Sequence, residues 1–325
     1  MMKRANCGAL LMAALLLVLM VGGCTNAKQG KKRFRVAFSQ CNNAEPYRAA
    51  QNQLMQKLFA EKGDVELVIA DAQQDNSKQI AQIETFIRQK PDLLIVAPNE
   101  RAPLTQIMGR AVAAGIPVIC LERDITEPNY TTFVGADNLA IGRMAGQLIV
   151  DELTKRKGKP QGKLVEIRGL LGVEAEMERY NGAREVLKSH PEIKVVHEAV
   201  ADWLQSNARE RMNEILRSQP EIDVVYAHND PMAIGAYLAA RELGREKNTI
   251  FIGVDGLGGP AGGLKKVQDG VLNGTFYYPL CADKAVEIGY RMLTEQGFKP
   301  DKKYILEPKL VTAENAAEMY QKYTF

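Results

Sequence analysis

Glu122-Arg123 stands directly after the apolar run 116–121, Asn229-Asp230 comes one residue after the run 224–227, and Asp255 follows the run 250–254. Polar groups recur at the same place in the pattern elsewhere: Ser39-Gln40, Asp71 with Gln73-Gln74, Asn99-Glu100-Arg101, Asp137-Asn138, Arg168, Asp202-Trp203 and Tyr278. A hydroxyl both donates and accepts, so vicinal hydroxyls are met in pairs by carboxylates, carboxamides and guanidinium forks. Trp and Tyr faces cover the C–H side of a ring. Taken together, this inventory suits a sugar. Taken singly, a strand-end Asp or Asn has a plainer use as the cap of the following helix, so the argument rests on the whole set.

Other chemistries find less support. The set Gly256-Leu257-Gly258-Gly259-Pro260-Ala261 fits G-x-G-x-x-A after a strand, but it comes late, contains Pro260 and lacks an acid at the end of a following strand, as dinucleotide binding requires. No G-x-S-x-G occurs. His190, His197 and His228 share no ligand spacing, and Cys41, Cys120 and Cys281 form no C-x-x-C, so neither a metal nor a cofactor is expected. Cys120 reads as a small buried hydrophobe, and a Cys41–Cys281 bridge stays open. Glu122 and Asp255 could form a glycosidase pair, but opposed acids across a sugar cleft serve a binding protein equally, and no enzyme is expected.

The elements that must position these residues follow from periodicity. Short β-branched runs at 35–38, 65–70, 93–97, 117–121 and 132–134 alternate with helical spacing such as Tyr47, Ala50, Leu54, Leu58 and Ile80, Ile83, Ile87. Runs at 163–167, 195–199, 224–227, 250–254 and 275–278 repeat the plan, with helices at 207–217 and 232–243 between them. Segments 90–99 and 219–229 both run from a helix end through Pro into a strand that closes on Asn. The pattern predicts an α/β chain of two doubly wound parallel-sheet lobes, with the ligand crevice beyond the carboxyl ends of the strands.

The 325 residues, 46% apolar and 25% charged, exclude disorder. The net charge of +3 is local: six bases and no acid fall within residues 1–33, which leaves 36 bases against 39 acids in the remainder, a net −3. That body offers no nucleic-acid face. Lys3-Arg4 before the apolar run 8–21 is a signal-peptide pattern, too short to span a bilayer comfortably. Val21-Gly22-Gly23-Cys24 resembles the lipobox of bacterial lipoproteins, with Cys24 the lipid acceptor. Residues 1–23 are then a signal peptide and 24–33 a lipidated basic tether.

The segments Val36-Ala37-Phe38-Ser39-Gln40, Asp71-Ala72-Gln73-Gln74, Gly115-Ile116-Pro117-Val118-Ile119, Glu122-Arg123, Gly135-Ala136-Asp137-Asn138, Glu178-Arg179-Tyr180-Asn181-Gly182, the run Asn229-Asp230-Pro231-Met232 and Gly253-Val254-Asp255-Gly256 resemble, in order, the type I periplasmic sugar-binding proteins of the ribose-binding group. The resemblance implies the periplasmic binding protein type I fold, two lobes on a three-strand hinge. It implies hydroxyl-binding roles for Glu122-Arg123, Arg179, Asn229 and Asp255, a stacking face in Trp203, and polar wall positions at Ser39, Gln74 and Asp137. Glu122 stands where Asp is usual, and Tyr278 where ribose binders place Gln. Tyr47-Arg48 is similar to the galactofuranose-binding branch, so a furanose, pentose or ketose is the better expectation.

From the resemblance, the lobes are 34–137 with 280–308 and 138–279 with 309–325. The implied protein is an exported, lipid-anchored monomer that closes on a monosaccharide and presents it to an ABC importer permease. The alternative is a sugar sensor that signals to a chemoreceptor or a membrane histidine kinase.

Overall fold

The computed structural model describes residues 33–324; the signal-peptide, lipidation and tether expectations lie outside these residues, save Arg33. In chain order the first lobe is built from β1 (Phe34–Gln40), α1 (Pro46–Lys62), β2 (Val65–Asp71), α2 (Asn76–Gln89), β3 (Leu93–Val96), α3 (Arg101–Ala113), β4 (Val118–Leu121) and β5 (Thr132–Ala136). The second lobe follows with α4 (Asn138–Lys157), β6 (Gly162–Arg168), α5 (Glu174–Leu187), β7 (Ile193–Val200), α6 (Gln205–Ser218), β8 (Val224–Ala227), α7 (Asp230–Glu242), β9 (Ile250–Ile252), α8 (Gly263–Gln268) and β10 (Gly274–Tyr277). The chain then gives α9 (Ala282–Thr294) and β11 (Lys303–Leu306) to the first lobe, and β12 (Lys309–Thr312) and α10 (Ala316–Tyr323) to the second.

The two sheets run β11-β5-β4-β3-β1-β2 and β12-β10-β9-β8-β6-β7. Strip off the last strand of each, and both have the doubly wound order 2-1-3-4-5, so the second lobe repeats the first strand for strand. Pairing is parallel except that β12 lies antiparallel to β10. Central strands β3, β4 and β8 are buried along their whole length, as their unalternating apolar runs require.

Strands β11 and β12 have no counterpart among the sequence-derived runs. Both are four residues long at sheet edges, and β11 alternates exposed and half-buried positions, so neither carries a continuous apolar signature. Their side of the sheets is where the lobes meet: the chain crosses after β5, after β10 and between β11 and β12. One apolar core passes through these crossings, linking Val36, Phe38 and Phe59 by way of Tyr278 and Leu280 to Tyr226 and Phe276.

Close helix packing depends on two glycines. A Cβ on Gly182 of α5 would sit 2.3 Å from the Leu139 carbonyl oxygen, and one on Gly142 of α4 would sit 2.5 Å from that of Arg179. The Gly256–Ala261 set is a loop ahead of α8, with Gly256 at φ +55° against the Tyr277 backbone. Cys41, Cys120 and Cys281 are free, buried thiols, so no Cys41–Cys281 bridge forms. No helix among the described residues is long and apolar enough to cross a membrane.

Candidate functional site

A narrow pocket lies between the lobes, lined by eleven residues. The first lobe supplies Glu45 ahead of α1, Tyr47 and Arg48 from the first turn of α1, and Glu122 and Arg123 from just past β4. The second lobe and the crossing supply Ala175 and Arg179 of α5, Trp203 after β7, Asn229 after β8, Asp255 after β9 and Tyr278 after β10. Every contributor stands past the carboxyl end of a strand or on the helix that follows one, where the doubly wound order opens a crevice.

The charged groups are interlocked. Arg48 Nη2 donates to Glu122 Oε2, Arg123 Nη2 lies 3.5 Å from Glu45 Oε1, and Arg123 Nε is 3.6 Å from Glu122 Oε2. Arg123 Nη1 also donates to the Asn99 carbonyl at 3.1 Å. On the facing wall Arg179 donates from Nε to Asn138 Oδ1 at 3.0 Å and from Nη1 to the His228 carbonyl at 2.5 Å. Burial alone would raise the Glu122 carboxyl, but Arg48 and Arg123 outweigh it and hold the group below its ordinary value. At Asp255 burial, reinforced by Asp230, outweighs the Arg179 guanidinium and pushes the carboxyl well above its ordinary value. Asp230 itself is pushed up to about 7 by burial, against hydrogen bonds from Thr275 Oγ1 and the Gly256 amide.

Aromatic rings close the remaining sides. Tyr47 and Tyr278 meet edge to face at 5.6 Å, and Tyr47 Oη donates to the Pro279 carbonyl at 2.7 Å. Trp203 lies under both Arg123 and Arg179, 5.6 and 5.7 Å from ring centre to guanidinium carbon. Gly169 is obligatory beneath it, because a Cβ there would fall 2.2 Å from the indole. Four buried donors around this pocket lack a hydrogen-bond partner: Arg48 Nε and Nη1, Arg123 Nε and Trp203 Nε1. Unpaired buried donors cost about 1–3 kcal/mol each, so the pocket wall is built for a ligand rich in acceptor oxygens.

Nine of the twelve residues singled out from the sequence line this pocket; Ser39, Gln74 and Asp137 do not. Ser39 Oγ accepts from Gln79 Nε2 at 3.3 Å inside the first lobe. Gln74 Nε2 donates across the cleft to the Asp202 carbonyl at 3.2 Å, which makes it a bridge between lobes. Asp137 is exposed and caps α4 through the Ala140 amide at 2.8 Å. Its neighbour Asn138 is the buried residue that holds Arg179. Asn229 does both jobs, capping α7 through the Met232 amide while lining the pocket. Glu45 and Ala175 were missed. Glu45 precedes Pro46 in the helix N-cap position and reads as a capping acid, yet its side chain makes no cap bond and turns to Arg123 and Asn42.

Seven non-glycine residues with left-handed backbone ring this cleft: Gln73, Gln74, Glu122, Asp202, Trp203, Asp255 and Cys281. Elsewhere among the described residues only Lys90, at the end of α2, shares the conformation. Backbone strain gathered at strand ends is a mark of function.

The sequence profile of the periplasmic binding protein domain matches residues 36–296. Among curated relatives, the galactofuranose-binding protein YtfQ of Escherichia coli is 30% identical over 317 residues, 95% of this chain and 97% of that protein. The ribose import binding protein RbsB of Bacillus subtilis is 31% identical over 226 residues, 70% of this chain and 71% of its own. Among solved structures, the fructose-binding periplasmic domain of a hybrid two-component system superposes with a TM-score of 0.83 at 37% identity, covering 89% of this chain and 94% of that domain.

Proposed function

This chain belongs to the periplasmic binding protein domain family, and from that premise we propose that it captures a monosaccharide by closing its two lobes and delivers it to an ABC importer. The observation that carries the reading is the pocket's composition: three carboxylates against three guanidiniums, with Trp203 and two tyrosines, enclosed between two repeated lobes. Three guanidinium forks facing three carboxyl groups supply both the donors and the acceptors that a neutral ligand's hydroxyls need. The Tyr47-Arg48 pair, similar to the galactofuranose-binding branch and lining the pocket, favours a furanose, pentose or ketose form. Relatives named for galactofuranose, ribose import and fructose binding agree with that range.

The lobes, 34–137 with 280–308 and 138–279 with 309–325, move as rigid bodies about the three crossings. Sugar favours the closed form because only there do both walls touch it. The protein is exported through residues 1–23, anchored at Cys24 by lipid and monomeric. A thermal-shift screen of the purified protein against pentoses, hexoses and their furanose forms tests the reading. A bound sugar at 100 times its Kd stabilises the fold by about 2.7 kcal/mol; no shift with any member of the panel contradicts it.

A further inference from the structure

Behind the second-lobe wall of the pocket lies a pair of side chains with no solvent exposure at all: Glu166 in β6 and His228 just past β8. Neither lines the pocket. His228 Nε2 lies 3.0 Å from Glu166 Oε1, and because a carboxylate oxygen only accepts, the ring nitrogen donates. Glu166 Oε2 accepts from Arg184 of α5, whose Nη2 also reaches Glu198 Oε1 of β7 at 2.7 Å. The imidazole is thus fixed to the neighbouring strand β6 of its own sheet, and that strand is fixed to α5.

The main chain of His228 faces the other way. Its carbonyl accepts from Arg179 Nη1 at 2.5 Å, and the next residue, Asn229, lines the pocket and holds the Trp203 carbonyl through Nδ2 at 3.0 Å. Three ligand-facing side chains of the second lobe therefore take their places from the segment that the imidazole anchors. A buried polar pair in a strand centre adds little stability that apolar residues of equal volume would not supply, which leaves its placement behind Arg179 to be explained.

We propose that Glu166 and His228 are positioning residues for sugar binding: by fixing the 228–229 backbone they aim Arg179, Asn229 and Trp203 at the ligand. The proposal rests on the reading of the pocket as a sugar site. Two readouts test it, both using Trp203, the only tryptophan in the chain. The first is sugar affinity, from titration of tryptophan emission with the sugar that gives the largest thermal shift. His228→Ala should weaken binding about tenfold, and His228→Gln, which can still meet Glu166, should restore most of it. In an Arg179→Lys background the effect of His228→Ala should be smaller than in the wild type, since the part of it carried by Arg179 is already lost. Wild-type affinity in His228→Ala, or losses that simply multiply in the double variant, overturns the proposal. Should His228→Ala not fold, Glu166→Gln decides by the same two criteria.

The second readout needs no sugar. Arg179 sits over the Trp203 ring, so His228→Ala should shift the emission maximum of the unliganded protein, and Arg179→Lys should abolish that further shift. An unchanged spectrum in a folded His228→Ala variant also overturns the proposal. If the wild-type protein responds to no sugar, the functional reading fails, and this second readout still judges the positioning role.

Discussion

Arg48 is 2% exposed, and Glu122, the carboxylate it pairs with, is 4% exposed. Removing one member of a buried ion pair leaves the other unpaired in low dielectric. Arg48→Ala should therefore cost about 3–5 kcal/mol of stability as well as sugar binding, measurable by denaturant unfolding. Glu122→Gln keeps an acceptor but strips buried Arg48 of its counter-charge and should cost a similar amount. At Trp203 the expectation differs: Trp203→Phe preserves an apolar face and should retain binding while abolishing the emission change on titration with sugar. Which residues line the pocket was largely legible at strand ends, where polar types follow apolar runs. Side-chain direction was not. Asp137 and Asn229 occupy the same sequence context, and only the fold turns one outward as a cap and the other into the pocket.

At the scale of elements, α5 carries Arg179, Ala175 and Glu174 to the cleft, and its approach to α4 is set by Gly182. Gly182→Ala would press a methyl group onto the Leu139 carbonyl and the Arg143 amide, both backbone and unable to swing away. We expect a loss of about 1–3 kcal/mol and a weaker sugar affinity, since the displaced helix takes Arg179 with it; thermal unfolding and titration together check both. The ten strands of the repeated plan could be read from β-branched runs, most cleanly in β3, β4 and β8, where burial on both faces leaves no polar alternation, while the edge strands β2 and β7 are largely exposed or half-buried but longer. Strands β11 and β12 escaped for the opposite reason: as short edge strands they are half exposed, and their pairing comes from the return of the chain across the hinge.

For the whole molecule, closure brings groups together that no local pattern reveals. Gln74 Nε2 reaches the Asp202 carbonyl, the Arg101 amide lies 3.4 Å from the Gly172 carbonyl, and the Asp124 amide lies 3.4 Å from Glu174 Oε2. Burial, with Glu178 and Asp124 nearby, pushes the Glu174 carboxyl up to about 8. A carboxyl raised in the closed form binds a proton that an exposed one has lost, so closure is favoured below the ordinary value of 4.5 and weakens as pH rises through about 8. Sugar affinity should fall over that window, and Glu174→Gln should flatten the profile relative to wild type.

The two-lobe plan was legible from the doubled strand–helix alternation, but the bridges across the cleft were not, because residues such as Gln74 and Asp202 are far apart in sequence and meet only across the cleft between the lobes. The most direct test is isothermal titration calorimetry of the protein and its Arg123→Ala variant with D-fructose, D-ribose, L-arabinose and D-galactose. The expected result is saturable single-site binding of at least one sugar, weakened roughly 10- to 100-fold in Arg123→Ala. Absence of binding by the wild type across the set, or an Arg123→Ala variant that binds as the wild type does, would contradict it.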